Sequence, residues 1–269
     1  MAGPEARDPG ARVRRALRLF FTGWLFNIKN LSLSGFFILS TVVLPVFYAT
    51  IAYFMFRTGS RPGSLLYVSL GAGMMGIWSS TLFGSGGLIQ WQRWQGTLEY
   101  VIGVPTPLIL VVLPMTIATA SIGLYSVTTT LIWGWLFFGT PLHLVHPGWF
   151  VLALPAAVLT LGLLGLVLAS TFVLMRNANS LSNLLEYPVW LVTGLLIGIS
   201  LLPGWTRPIS WMLAPTWGIR GIREAAIGGE PGVPIAVCLA LGAIYLVIGH
   251  FTLRYFERLA RERATLALA

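Results

Sequence analysis

The chain has 269 residues, of which 56% are apolar and only 9% carry a charge. An ordinary soluble domain has roughly 25% charged residues, so this composition excludes a protein whose main solvent is water. The net charge of +9 would suggest a nucleic-acid partner for a soluble protein. In a membrane protein, basic residues accumulate on the cytosolic side instead, and we expect no nucleic acid among the partners.

The first part of the chain, residues 1–30, is charged or amphipathic. The apolar run that follows is too long for the core of a cleavable signal peptide, so we expect the segment to stay attached. Within residues 11–29, apolar side chains recur every three or four positions from Val13 to Ile28, and basic residues fall mainly on the other side. The pattern favours an amphipathic helix in the cytosolic interface of the membrane. The alternative is a charged flank of the first span.

A membrane-spanning helix needs about 20 mostly apolar residues, and six runs of the sequence are candidates. The fifth is the shortest. The predicted spans are residues 31–56, 65–89, 108–138, 150–175, 184–202 and 233–253. They predict an all-α integral membrane protein, with a transmembrane domain at 31–256 and a cytosolic tail at 257–269.

The basic residues favour one orientation of these spans. With the N-terminus inside, twelve of the seventeen Lys and Arg residues fall in internal segments, as the positive-inside rule requires. An even number of spans agrees with this orientation. We expect a multi-pass protein of the plasma or inner membrane of a prokaryotic cell, with both termini in the cytosol.

Ionisable side chains are scarce in the apolar runs. Glu186 stands near the predicted cytosolic start of the fifth run, and His250 near the inner end of the sixth. Since no ionisable group is expected at mid-membrane, the sequence argues against a proton-coupled carrier. His143 and His146 have no cysteine or carboxylate nearby to complete a metal site, and we interpret them as part of a polar external turn ending at Pro147.

The sequence gives no support to a membrane-embedded enzyme, because neither the H-E-x-x-H nor the G-x-S-x-G pattern occurs. Residues 84–87 are rich in glycine but lack the lysine that a phosphate-binding loop requires. The only lysine in the chain is Lys29. If ATP drives this protein, another subunit binds it.

The longest interval between predicted spans is residues 203–232. It is too apolar for a free loop, and it contains three tryptophans, which favour the level of the lipid headgroups. We expect a short re-entrant helical hairpin on the outer side, because irregular backbone is tolerated at membrane depth only where protein or a water-filled cavity covers it.

A short helix is predicted between the second and third spans, on the cytosolic side. Gly96 breaks the preceding helix, and Thr97 can cap a new one. Glu99 falls in the first turn of the new helix, where a carboxylate suits the positive end of the helix dipole. Gly103 and Pro105 then end it after one to two turns.

This segment resembles one found in the ABC-2-type permeases of ATP-binding-cassette exporters, E-R-E-R-G-T-L-E followed by a proline. The matching residues are Arg93, Gly96, Thr97, Leu98, Glu99 and Pro105. Gln92, Trp94 and Gln95 replace charged family residues, which puts particular ion pairs with a partner in doubt. In that family the corresponding helix touches a separate ATPase, so the resemblance implies that residues 91–106 form a coupling segment.

A second stretch follows the family pattern before the last span, with prolines leading to an arginine and a glycine. The residues in question are Thr193, Gly194, Pro203, Gly204, Trp205, Pro208, Pro215, Arg220, Arg223 and Gly228. We interpret four of them, Pro203, Pro215, Arg220 and Arg223, as candidate gate or re-entrant residues. The resemblance covers nearly the whole chain.

The resemblance implies a permease that moves an amphiphilic substrate, such as a drug, an antibiotic, a lipid or a lipid-linked molecule, out of the cytosol or the inner leaflet. It also implies a second permease subunit, identical or different, and a dimer of ATPase subunits that bind ATP and Mg²⁺. This chain itself is then no enzyme and holds no cofactor or metal. Candidate lining residues, for which packing or lipid contact is the simpler explanation, are Trp78, Phe83, Trp133 and Trp190.

Other interpretations stay open. The nearest is a permease that exports a polysaccharide or a lipid-linked glycan. A secondary transporter or channel and a membrane-embedded enzyme or assembly factor are more distant. A secondary transporter would move its substrate in liposomes without ATP or a partner.

Overall fold

The computed structural model describes residues 9–57, 64–94, 96, 107–172, 178–196 and 198–263. Helices make up most of these ranges. They are α1 (Pro9–Ser32), α2 (Gly35–Ile38), α3 (Leu44–Arg57), α4 (Ser64–Trp94), α5 (Ile109–Ile122), α6 (Leu124–Phe138), α7 (Pro147–Phe172), α8 (Ala178–Val192), α9 (Arg207–Met212), α10 (Ala214–Ile227) and α11 (Gly232–Arg263). A π-helical turn, Leu39–Val43, joins α2 to α3, and two 3-10 turns, Ile199–Leu201 and Gly204–Thr206, precede α9.

Five segments of the described chain are long and apolar enough to cross a membrane. They are Gly35–Met55, Leu65–Gly87, Ile109–Phe138, Pro147–Phe172 and Gly232–Tyr255. These segments match the first four predicted spans and the sixth to within a few residues. The all-helical, multi-pass part of the prediction is therefore confirmed.

The fifth predicted span, 184–202, is not a continuous helix. α8 begins earlier and ends at Val192 after 15 residues, and Gly194 then adopts a φ of +79°. Glycine in this left-handed conformation commonly ends a helix. A helix of 15 residues is about 22 Å long, short of the roughly 30 Å of a bilayer core. The fifth span and a sixth crossing therefore stay predictions.

The core of the bundle forms around α4. This helix contacts α3, α5, α6, α7, α8 and α10, and all but two of residues 66–86 are buried. Glycines allow the close approach: a Cβ added at Gly73 would lie only 2.7 Å from the Cα of Val127 on α6. Small residues commonly have this role between membrane helices.

The N-terminal helix, α1, is present as predicted, but it also packs against α5. The indole nitrogen of Trp24 donates a hydrogen bond to the Ser121 hydroxyl at 3.1 Å. Val13 and Leu17, nearer the start of α1, are exposed apolar residues. The first half of α1 thus presents apolar side chains outward. The second half is attached to the bundle through Trp24 but also has exposed apolar side chains, such as Phe26. Its position in the membrane interface stays a prediction.

The predicted hairpin at 203–232 is largely helical. It contains a 3-10 turn, α9 and α10, and α10 is buried against α4, α7 and α11. The loop before α7 closes over the end of α10, since the backbone amides of Val145 and His146 donate to the carbonyls of Ala226 and Ala225. The chain therefore folds this segment into the bundle, and its depth in a membrane stays a prediction.

Candidate functional site

The candidate coupling segment begins where α4 ends. Arg93 lies in the last turn of α4, and Gly96 is exposed with a φ of +67°. A Cβ at Gly96 would meet no atom within 4 Å, so backbone conformation and not space favours glycine here. Thr97, Leu98, Glu99 and Pro105 lie outside the described residues, and their coupling role stays a prediction.

The two helices that flank this segment are α4 and α5. α4 extends seven residues beyond the span that ends at Gly87, which is about 10 Å of helix. Near this end, Gly84 of α4 lies directly against Thr119 of α5. A displacement of the segment would therefore act on two helices that are in tight contact.

Arg223, a predicted gate residue, is buried inside the bundle, with 8% of its surface exposed. Its guanidinium donates to the carbonyls of Gly194 at 2.7 Å, Leu195 at 2.9 Å and Tyr67 at 3.2 Å. The guanidinium carbon also lies 3.4 Å from the centre of the Tyr67 ring. A guanidinium stays protonated in proteins, so a permanent positive charge joins α10 to α4 and to the turn that follows α8.

The other three predicted gate residues do not converge on Arg223. Arg220 lies one turn earlier on α10, but its side chain is exposed and forms an ion pair with Glu224 at 2.7 Å. Pro215 is buried in the first turn of α10, whereas Pro203 is exposed before a 3-10 turn. A gating function of these residues stays a prediction.

Glu186 lies elsewhere than the sequence suggested. It is the ninth of the 15 residues of α8 and is buried. Its Oε1 accepts a hydrogen bond of 2.6 Å from Ser79, which lies near the middle of the span Leu65–Gly87. The expected position at the cytosolic edge is wrong, because α8 begins six residues earlier than the predicted run. The lack of an ionisable group at mid-membrane can therefore no longer be used against a proton-coupled carrier.

Sequence reasoning missed what surrounds this carboxylate. Trp190, one turn beyond Glu186 on α8, packs its ring at 5.0 Å from that of Tyr48 on α3 and at 5.1 Å from that of Tyr187. The available signal was a helical spacing of four that links Ser182, Glu186 and Trp190. Trp190 was predicted as a candidate lining residue only for its aromatic character.

Comparison with known proteins assigns the chain to a family. The model of the ABC-2 type transporter family matches residues 18–227, well over half of the chain. No curated protein matches the sequence. Membrane domains of this family are transport components without catalytic activity of their own, and they work with ATPase subunits. The chain therefore belongs to the ABC-2 type transporter family and is a multi-pass membrane permease of an ABC transporter.

Proposed function

We propose that the chain is the permease subunit of an exporter, which moves an amphiphilic substrate out of the cytosol or the inner leaflet. The observation that supports this most is the family match over residues 18–227, which covers α4, the predicted coupling segment and α10. In the proposed complex, two permease subunits pair with two ATPase subunits. The ATPase subunits bind ATP and Mg²⁺, and the permease makes and breaks no substrate bond.

The proposed mechanism is alternating access. Closure of the ATPase dimer moves residues 91–106, and α4 and α5 carry this movement into the bundle. α4 is suited to this because it extends past its span at one end and contacts Arg223 near the other. ATP binding shifts the balance between inward-open and outward-open states only by as much as the partner binds one state more tightly.

The test is reconstitution of the purified chain in proteoliposomes, with and without the ATPase that copurifies with it. We expect transport of an amphiphilic dye only when both the ATPase and ATP are present. Transport by the chain alone, without ATP, would show a secondary transporter or channel instead. Chemical alteration of the cargo by the chain alone would show an enzyme.

A further inference from the structure

Three helices bring a carboxylate and aromatic rings together halfway along the bundle. We call Tyr48, Ser79, Glu186, Tyr187 and Trp190 the aromatic–carboxylate cluster. α3 provides Tyr48, α4 provides Ser79, and α8 provides the other three. α3 and α8 both pack on α4, so the Ser79 hydroxyl approaches the carboxylate from the central helix.

The cluster contains a carboxyl group, that of Glu186, with no cationic partner in the described part of the chain. Glu186 is 8% exposed, and its carboxyl group accepts a hydrogen bond from Ser79. Arg220 and Glu224 form an ion pair on a different helix, α10. A buried carboxylate is costly unless a cation or several donors compensate it, and one hydroxyl is a weak compensation.

The rings of the cluster add to the same electrostatic character. The faces of aromatic rings are negative and attract cations. Tyr48 and Trp190 meet at an interplanar angle of 67°, and Tyr187 and Trp190 at 78°, so the rings present faces in different directions around Trp190. Rings and carboxylate together favour a positive charge.

Two further observations suggest that a ligand completes this cluster. Trp190 is 3% exposed, yet its indole N–H has no acceptor among the described residues. Buried donors of this kind normally have a partner. Tyr187 and Leu184, on the outward side of α8, are 56% and 66% exposed. The cluster thus reaches from a buried donor and a buried carboxylate to an open apolar surface.

We propose that the aromatic–carboxylate cluster binds the cationic group of the transported molecule, a protonated or quaternary amine carried on an apolar body. The positive charge faces Glu186 and the rings of Tyr48 and Trp190, and the apolar body lies along the exposed side of α8. This inference rests on the proposed function and narrows its cargo from amphiphiles in general to hydrophobic organic cations.

Binding of two probes of the same shape and opposite charge tests the proposal. The full chain in nanodiscs of zwitterionic lipid is titrated with tetraphenylphosphonium and, separately, with tetraphenylborate. We expect saturable binding of the cation alone. Glu186→Gln keeps the volume and the acceptor for Ser79 but removes the charge, and we expect it to weaken cation binding at least tenfold. Glu224→Gln, which removes a partly buried carboxylate that is paired with Arg220 on α10, is the matched control and should bind as the wild type does.

A second pair of variants tests the aromatic part independently of the carboxylate. Trp190→Phe keeps an aromatic face, and Trp190→Leu keeps only apolar volume. We expect the phenylalanine variant to bind the cation within a fewfold of wild type and the leucine variant at least tenfold more weakly. If Glu186→Gln does not stay monodisperse in detergent, the two Trp190 variants decide whether the cluster binds the cation.

Three results would overturn the proposal: equal binding of both probes, wild-type cation affinity in a monodisperse Glu186→Gln variant, or equal affinities of the two Trp190 variants. These measurements need no ATPase. Their failure would leave ATP-driven transport of a neutral or anionic cargo intact, whereas intact cation binding without ATP-driven transport would contradict the exporter function alone.

Discussion

At the scale of single residues, Arg223 donates three hydrogen bonds to backbone carbonyls. Its guanidinium satisfies carbonyls of Gly194 and Leu195, which lie just beyond the negative end of the α8 dipole. Cations at this end of a helix are favourable. Removing the hydrogen-bond partners of a buried charge, or removing the charge from its partners, is among the most destabilising changes in a protein. Arg223 is therefore expected to contribute strongly to stability.

Arg223→Ala should lower the thermal unfolding midpoint of the purified protein by several degrees, corresponding to about 3 kcal/mol. The unfolding midpoint of Arg223→Lys should lie between those of the wild type and Arg223→Ala, because one ammonium cannot reproduce the planar guanidinium that reaches several carbonyls. Arg220→Ala, one turn away on α10, removes an exposed ion pair and should change the midpoint little. Equal losses at the two positions, measured by tryptophan fluorescence on heating, would contradict this role of Arg223.

Gly96 permits a test of the coupling segment that leaves the fold intact. A side chain at this position meets free space but must adopt a left-handed backbone, at a cost of about 1 kcal/mol. Gly96→Trp should therefore still fold, yet transport per ATP hydrolysed should fall at least fivefold because the segment no longer fits the ATPase. Glu99→Arg should do the same by reversing a charge.

Gly139 provides the matched control for Gly96. It has a φ of +64°, is exposed and also has no atom within 4 Å of an added Cβ, but it follows α6, at the far end of the bundle from the coupling segment. Gly139→Trp should transport normally in the same proteoliposomes. Normal transport by Gly96→Trp, or equal loss in both variants, would exclude a specific coupling role.

At the scale of the helices, two glycines of α4 differ in whether another helix packs closely against them. Gly73 faces the backbone of α6 at Val127, whereas Gly87 has no atom within 4 Å of an added Cβ. Alanine at Gly73 should cost about 1–3 kcal/mol through overpacking. Alanine at Gly87 should stabilise by up to about 1 kcal/mol because glycine is the poorer helix former. Opposite shifts of the unfolding midpoint are the expected result, and shifts of the same sign would contradict the packing of α4 against α6.

Long apolar runs were predictable because lipid leaves a crossing chain little choice other than a helix. The end of α8 was not predictable in the same way. The apolar run continues through Thr193 and Gly194, so a count of apolar residues does not show that the helix ends there. In the turn after this break, the carbonyls of Gly194 and Leu195 accept hydrogen bonds from Arg223, which lies 28 residues beyond Leu195 in sequence. A tertiary contact of this separation leaves no periodic signal in the sequence.

The position of Glu186 was misjudged for a related reason. The sequence placed it by its distance from the first apolar residue of a run, whereas α8 includes the polar residues Asn179, Ser180 and Ser182 before that run. A hydropathy count assigns polar residues at the start of a helix to the preceding loop. The coupling segment, by contrast, was recognised from its motif, and the family match supports the class of protein but not the role of each residue.

At the scale of the whole molecule, the number of crossings decides where the two termini lie. Five of the described segments are long enough to span, and α8 alone is about 8 Å too short. A broken crossing is physically allowed when protein groups satisfy the freed backbone, as membrane transporters with discontinuous helices show. Arg223 donates hydrogen bonds to two carbonyls in the turn after α8. We therefore predict that α8 and the turns after it together make a sixth, discontinuous crossing.

The accessibility of single introduced cysteines measures this directly, because the natural Cys238 is buried and gives little background. In intact cells, a membrane-impermeant maleimide should label His143→Cys but neither Val13→Cys nor Arg258→Cys. All three positions are exposed in the folded chain, so permeabilised cells should show labelling of each. If Arg258→Cys is labelled in intact cells and Val13→Cys is not, the number of crossings is odd. Then α8 stays on one side of the membrane, the positive-inside assignment of the C-terminal arginines fails, and Arg223 holds a surface helix instead of completing a span.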